Sequence, residues 1–355
     1  MTELKAQGID IKYDKALNGE TLEAALKEFQ PTILVVRSTK VQQPHLDANP
    51  SLELIIRAGA GFDTIDVAYA SKKGVFVANC PGKNSTAVAE LAMGMILNVD
   101  RRLADGVALL REGKWRKATF ASCLGLKGRT LGVIGFGNIG RLIADRAKAF
   151  EMKIAAADPF LTPEGAKAAG VQYCATNDEL LAVSDIITLH VPALPSTKGM
   201  VNAEFLGKMK KNGVLLNTSR GDIINEADLI AHLDANPDFY YACDVYQGEP
   251  STGSADDFQH KLAQHPRVYG THHIGASTKQ AEAAIGEESV RIIKKFAATG
   301  AVDDGNCVNK SRPPKAEESH SLAIVHESKA GVLAHILATV DKHGILVQEF
   351  NNLVL

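Results

Sequence analysis

The sequence predicts an α/β chain of two doubly wound parallel-sheet units followed by a small α+β tail. Three observations predict it. Short apolar runs alternate with amphipathic segments along most of the 355 residues, which is the rhythm of strands joined by crossover helices. The rhythm is interrupted once, by a long Ala/Met/Leu-rich stretch from Ser85 to Arg111, and resumes near Lys127. A polar, proline-bearing stretch, NKSRPPKAEESH, then sets a short last segment apart from the body.

In chain order, the first unit offers three strands, PTILVVRS, LELIIRAG and GVFVANC, each followed by small or polar residues and an amphipathic stretch. Ser85 to Arg111 reads as one or two helices leading out of it, ending near Gly113-Lys114-Trp115. The second unit offers six strands: TLGVIGFG, KIAAADPF, SDIITLHVP, GVLLNTS, YYACDVY and RVYGTHHIG. Six strands in that rhythm match a doubly wound dinucleotide domain. A helical stretch, Ser277 to Ala298, follows, then the linker, then a strand, helix and strand in SLAIVHESKAGVLAHILATVDKHGILVQEF. That last piece is too small to be stable alone.

The composition narrows the function classes. With 45% hydrophobic and 23% charged residues the chain is an average globular protein, not a disordered, collagenous or coiled-coil one. No apolar run approaches the ~18 residues of a membrane span. The N-terminal MTELKAQGIDIKYDK lacks the apolar core of a signal peptide, so a cytoplasmic protein is expected. A net charge of -2 gives no basic footprint for nucleic acid or membrane. The five cysteines never form a CxxC pair, and the eleven histidines show no metal-ligand spacing. Reduced thiols packed as small hydrophobes, and no metal, are the expectation.

Gly135-Phe136-Gly137-Asn138-Ile139-Gly140 is a G-x-G-x-x-G that closes an apolar strand and opens a helical pattern. In that context the glycines let the backbone turn tightly and approach a pyrophosphate seated on the helix N-terminus. The next strand ends at Asp158, 18 residues beyond Gly140. A carboxylate there accepts hydrogen bonds from ribose hydroxyls and repels a 2′-phosphate, so NAD is expected rather than NADP.

Three later stretches fall at strand ends of the same unit: Asn217-Thr218-Ser219-Arg220-Gly221, Asp244 to Pro250, and His272-His273-Ile274-Gly275. Each brings a different ionisable group. Reducing a 2-oxo acid needs a cation on the carboxylate, a proton donor for the carbonyl oxygen, and hydride from a nicotinamide. Arg220, one of the two histidines and Glu249 supply the protein's share, the carboxylate raising and orienting the imidazole. Taken singly, each also reads as a surface ion pair, a solvated carboxylate or a structural histidine.

The chain resembles the D-2-hydroxyacid dehydrogenase family. The resemblance runs through VRSTKV, RAGAGFDTID, NCPGKNSTAVAELAMGMIL, LGVIGFGNIGR, NTSRGDIINEADLIAHL, DVYQGEP, HHIGAST and VHESKAGVL. VRSTKV and the C-terminal piece are similar to the branch acting on 3-phosphoglycerate. The resemblance implies a flavodoxin-like substrate domain (1–97 and 275–308) with a Rossmann NAD domain (98–274) inserted into it. A linker (309–318) and a partial ACT-like regulatory tail (319–355) would follow.

It further implies that Arg220 binds the substrate carboxylate and carbonyl, that Glu249 pairs with the histidine, and that His273 is the acid/base. The family pattern is Pro-His-[Ile/Leu]-Gly, so His272 stands where proline is usual. Cofactor contacts would extend from Gly135, Gly137, Asn138, Ile139, Gly140 and Asp158 to Val191, Pro192, Thr218, Ser219, Asp244 and Gly275. Arg37, Lys40 and Arg57 would meet a substrate phosphate, with Ser38 also at the substrate and Ala58, Gly59 and Asn84 near the carboxylate. Cleft closure would bring the two sets onto one substrate.

The implied activity is NAD-dependent oxidation of D-3-phosphoglycerate to 3-phosphohydroxypyruvate. Two alternatives stand beside it: a reductase of hydroxypyruvate, glyoxylate or 2-oxoglutarate in the same family, and a non-catalytic NAD sensor resembling a corepressor. Self-association as dimer or tetramer through the Ser85–Trp115 region is implied as well, as is an amino-acid effector at the tail. The serine-binding tails have asparagines where Ser328 and Leu346 stand. The sequence closes at Leu355 within the second or third strand of that module, which leaves an unpaired edge. It also opens without the strand that the family places before the TELKAQG helix.

Overall fold

A computed structural model of the chain describes residues 2–250, 255–309, 324, 326 and 329–345. The chain divides into two compact units, Met1–Lys83 with Ala283–Leu355, and Asn84–Glu282.

The first unit holds three parallel strands, β1 (Ile33–Val36), β2 (Leu54–Arg57) and β3 (Phe76–Asn79), in that order, with Ile33 opposite Leu54 and Leu54 opposite Phe76. Alternate residues serve opposite faces, as the period of a strand requires. Leu54, Ile56, Phe76 and Ala78 pack with Ile285, Ile292, Ile293 and Phe296 of the helix Lys279–Thr299. Ile55 and Val77 pack with Leu22, Leu26 and Leu46 from two helices of the other face. Burial on both faces is why β2 and β3 read as apolar runs. The free edge of β3 is covered by the segment around Cys307, bridged to Ala78, and by Val308, whose N–H donates to Val77 O.

The second unit holds seven parallel strands: β4 (Thr130–Ile134), β5 (Lys153–Ala157), β6 (Gln172–Tyr173), β7 (Ile186–Leu189), β8 (Val214–Asn217), β9 (Tyr240–Cys243) and β10 (Val268–Gly270). Their order is β10-β9-β8-β7-β4-β5-β6. The order reverses between β4 and β7, so connections depart to opposite sides there and leave a crevice beyond the strands' C-terminal ends. One face packs against the helices Ser85–Arg101 and Asn138–Ala149 through Ala89, Ala92, Ile96, Ile143 and Ala144. The other packs against Leu180, Leu206, Leu229 and Leu233.

Three findings differ from the sequence reading, and one narrows it. β6 adds a seventh strand; its two residues are exposed, so it carries no apolar run to announce it. Of the one or two helices expected over Ser85–Arg111 there are two, broken at Arg102, whose φ of 51° lies in the left-handed region. The unit boundary falls before Asn84 rather than after residue 97, because Ala89, Ala92 and Met93 pack with Leu131 and Val133 of β4. At the other crossing the second unit runs on to Glu282 rather than stopping at residue 274.

In the tail, the helix Val332–Lys342 is described. The linker, the flanking strands of the ACT-like module, Ser328 and Leu346 lie outside the described residues, apart from a few isolated positions. Among the described residues no helix is long and apolar enough to cross a membrane.

Candidate active site

The glycine loop leaves β4 and enters the helix Asn138–Ala149, and its three glycines have different reasons. Gly135 has φ 89°, and a Cβ there would collide with the His190 carbonyl oxygen. A Cβ on Gly140, inside the helix, would collide with the Gly135 carbonyl. These two serve the turn and the close packing of helix on strand. Gly137, just before the helix, meets nothing within 4 Å; the open space there faces the helix's unbonded N–H groups.

Asp158 follows β5 and ties this loop down. Its Oδ2 accepts from Phe136 N at 2.8 Å and its Oδ1 from Phe160 N at 2.8 Å, which leaves lone pairs of the carboxylate for ribose hydroxyls. Thr218 Oγ1, beyond β8, is buried with no protein partner among the described residues. Ser219 is different: its hydroxyl donates to Leu189 O at 2.8 Å, so it joins two strand ends. His190, between β7 and the Val191-Pro192 turn, shares a 2.9 Å hydrogen bond with Thr188 Oγ1. Its Nδ1 is buried, and burial pushes the imidazole down to about 3. The open cradle at Gly137, the Asp158 carboxylate and the lone Thr218 hydroxyl together fit a dinucleotide.

The ionisable groups stand on three loops past β8, β9 and β10. Asn217, fully buried, frames the first: its Nδ2 donates to Arg220 O at 2.9 Å and its Oδ1 accepts from Ser219 N at 3.0 Å. Arg220 Nη1 donates to Ser219 O. On the second loop, Glu249 Oε1 accepts from Tyr246 N at 2.9 Å. Gln247 N donates to Glu226 Oε1 at 3.0 Å, and His260 Nε2 donates to Gln247 O at 3.1 Å.

On the third loop, His273 Nδ1 lies 2.6 Å from Glu249 Oε2. A carboxylate only accepts, so Nδ1 carries the hydrogen and Nε2 is left for another partner. The Glu249 hydrogen bond raises His273 above the ordinary imidazole value, against desolvation. Burial alone would raise Glu249; the bonds from His273 and Tyr246 N outweigh it and lower the carboxyl. The charge of Arg220 acts on both members of the pair.

His272 and His273 were expected at a strand end. They lie past the end of β10, and His273 has φ 54°. His272 is exposed. Asp244 is buried at 2% exposure, and both carboxylate oxygens receive N–H groups of this loop, Ile274 N at 2.8 Å and Gly275 N at 2.7 Å.

The remaining expected residues stand mostly in the first unit. Arg37, Ser38 and Lys40 are exposed past β1. Arg57 ends β2, and Ala58 N donates to Val36 O. The Arg57 guanidinium folds over Gly59, where a Cβ would overlap it and where φ is 153°. Asn84 belongs to the second unit, directly before the helix Ser85–Arg101, and its Oδ1 is buried without a partner among the described residues. Among the described residues no group of His, Cys, Asp and Glu could hold a metal ion. Burial pushes the Cys243 thiol up to about 12, so it packs as a small hydrophobe.

Residues 93–275 match the family described as D-isomer specific 2-hydroxyacid dehydrogenase, NAD binding domain. The chain belongs to that family. The match spans Gly135 to Gly275, so it takes in the glycine loop, Asp158, Arg220, Glu249 and His273. The second unit of this 2-hydroxyacid dehydrogenase is thus an NAD-binding domain.

The dehydrogenase is 43% identical over 264 residues to the hydroxypyruvate reductase of Thermotoga maritima, covering 74% of this chain and 84% of that one. It is 36% identical over 305 residues to the D-3-phosphoglycerate dehydrogenase of Rattus norvegicus, covering 84% of this chain and 55% of that one. The chain therefore spans about half the length of that relative. Its fold matches the D-lactate dehydrogenase of Aquifex aeolicus, solved with NAD and lactic acid, at a TM-score of 0.75 and 30% identity over 87% and 96% of the two chains.

Proposed function

We propose that the protein interconverts D-3-phosphoglycerate and 3-phosphohydroxypyruvate. The observation that carries the chemistry is the 2.6 Å pair of His273 and Glu249, with the charge of Arg220 acting on both. NAD, held by the glycine loop and Asp158, would supply the acceptor for the hydride from C2 of the hydroxy acid. His273 Nε2 takes the hydroxyl proton in that direction and returns it in reduction. Glu249 holds the ring by Nδ1 and stabilises the imidazolium, while Arg220 binds the carboxylate and polarises the carbonyl. Arg37, Lys40 and Arg57, three cations near strand ends of the first unit, are assigned to the phosphate.

The family relative of 43% identity favours a second reading, reduction of hydroxypyruvate itself. The chemistry is the same and the phosphate site is unused. Self-association is proposed through the helix Leu103–Arg111, which exposes Leu103, Val107 and Leu110 on one stripe beside exposed Trp115 and Leu124.

The test is NADH oxidation with 3-phosphohydroxypyruvate, hydroxypyruvate, glyoxylate and 2-oxoglutarate, for wild type, His273→Ala, Arg37→Ala and Arg57→Ala. We expect a preference for the phosphorylated acid and no measurable turnover in His273→Ala. A charge-assisted contact contributes about 1.5–3 kcal/mol, so each Arg variant should lose roughly 10–150-fold in kcat/KM on the phosphorylated acid. Losses of the same size on hydroxypyruvate would remove the phosphate assignment. Binding of NADH without oxidation by any of the four acids would point to a sensor.

A further inference from the structure

The pair of His273 and Glu249 depends on a backbone conformation that histidine does not favour. At φ 54°, His273 lies in the left-handed region with no glycine to ease it. Such a residue persists where its surroundings over-determine it, and here three successive N–H groups converge on Asp244. His273 N donates to the Asp244 carbonyl oxygen at 2.8 Å, Ile274 N to Oδ1 at 2.8 Å, and Gly275 N to Oδ2 at 2.7 Å.

Two of those three bonds need the Asp244 carboxylate to keep one orientation. One other side chain holds it there among the described residues: Thr271, whose hydroxyl donates to Oδ1 at 2.5 Å. Thr271 is itself anchored, since its N–H donates to Cys243 O at 2.9 Å at the end of β9. Its branched Cβ restricts χ1, so the hydroxyl is aimed before the carboxylate arrives. On the other side Gly275 leaves room for the carboxylate, since a Cβ there would stand 2.9 Å from Oδ2.

We propose that Thr271 is a positioning residue for the reaction: its hydroxyl locks the Asp244 carboxylate, the carboxylate holds the left-handed turn at residues 273–275, and the turn sets the His273 ring against Glu249. This rests on the reading of His273 as the acid/base. Without the hydroxyl, Oδ1 keeps one donor instead of two, the carboxylate can turn, and the imidazole spends less of its time on Glu249. The loss falls on proton transfer, not on the binding of substrate or NADH.

The test compares Thr271→Val, which keeps the shape and removes the donor, with Thr271→Ser, which keeps the donor. Reduction is measured across pH for both, with NADH affinity by fluorescence, thermal unfolding, and the His273 ring titration by NMR, assigned with His273→Ala. In Thr271→Val we expect kcat to fall roughly 10–100-fold with both KM values and NADH affinity within about threefold. The alkaline limb of the pH profile and the His273 titration should both move to lower pH, toward their positions in Glu249→Gln. Thr271→Ser should restore most of both.

An unchanged His273 titration in Thr271→Val overturns the proposal, as does a fall in kcat that Thr271→Ser leaves in place. A loss explained wholly by weaker NADH binding also overturns it, because Asp244 would then be serving the cofactor. Should Thr271→Val fail to fold, Thr271→Cys, with a poor donor in the same position, carries the same comparison. Turnover surviving in His273→Ala would strike the parent reading, whatever the Thr271 variants do.

Discussion

The two sheets of this protein both end their strands in loops that carry charge, and the charged side chains are set differently on the two. In the second unit every loop bearing a proposed catalytic group is tied by a partly or wholly buried polar side chain. Asn217 frames the Arg220 turn, Glu226 and His260 brace the Glu249 loop, and Asp244 gathers the N–H groups around His273. In the first unit Arg37 and Lys40 stand exposed past β1, and Arg57 lies across the bare backbone of Gly59. The difference follows the task proposed for each edge. Proton and hydride transfer demand fixed geometry, since small misplacements cost large factors in rate, whereas attraction of a dianion by cations falls off slowly with distance. The edge proposed for chemistry is braced by buried polar side chains; the edge proposed for phosphate recognition presents its cations on long side chains, two of them exposed.

The largest expected effect separates glycines that build the second unit's edge from the glycine that faces the ligand. Gly135→Ala meets both a positive φ and the His190 carbonyl, so urea unfolding should show a loss of roughly 2–5 kcal/mol. Gly137→Ala meets nothing within 4 Å and should stay within about 0.5 kcal/mol of wild type. Its methyl nonetheless fills the cradle, and NADH affinity by fluorescence titration should fall at least ~10-fold. Equal stability losses in the two variants would break the distinction.

Next comes Glu249→Gln, which keeps the shape and removes the charge. It should lower kcat by about 10²-fold, the lower end of general acid–base contributions. Because Glu249 raises His273, the protonated acid that reduction needs persists to higher pH in wild type. The alkaline limb of reduction should therefore move to lower pH in the variant. The same sign governs stability: a raised imidazole adds stability in full below the unfolded value near 6.5, and that contribution is lost as pH rises through the folded one. A limb that does not move would detach Glu249 from the proton transfer.

What was legible in the sequence divides along the same line. Apolar runs, most of them buried on both faces, let β1 to β5 and β7 to β10 be read off, while β6, two exposed residues, has no such run. The dinucleotide loop was legible because its glycines have steric reasons. The break at Arg102 and the turn at His273 were not, because left-handed backbone at a non-glycine residue leaves no mark in composition. Thr271 was missed for that reason: its part emerges only once the turn it supports is seen. Ser219 was read as a cofactor contact, and nothing in the sequence showed that its hydroxyl also donates to Leu189 O. His190 passed as the end of a strand, with nothing in DIITLH to say that the imidazole is buried and held neutral. Arg220, Glu249 and His273 were readable in their types and order, whereas the choice between the two histidines came from the family pattern.

The smallest effect sharpens the comparison from the first unit's edge. Gly59→Ala would place a methyl where the Arg57 guanidinium now lies. The guanidinium is the far end of a flexible side chain and can swing away, so the main structural cost is the backbone at φ 153°, about 1–2 kcal/mol. If Arg57 recognises phosphate from a position set by Gly59, kcat/KM for 3-phosphohydroxypyruvate should fall roughly 10-fold, one charge-assisted contact weakened but not removed. The value for hydroxypyruvate should stay within about threefold. Equal losses on both acids would mean that Gly59 shapes the site as a whole, and the first unit's edge would then be as tightly specified as the second's.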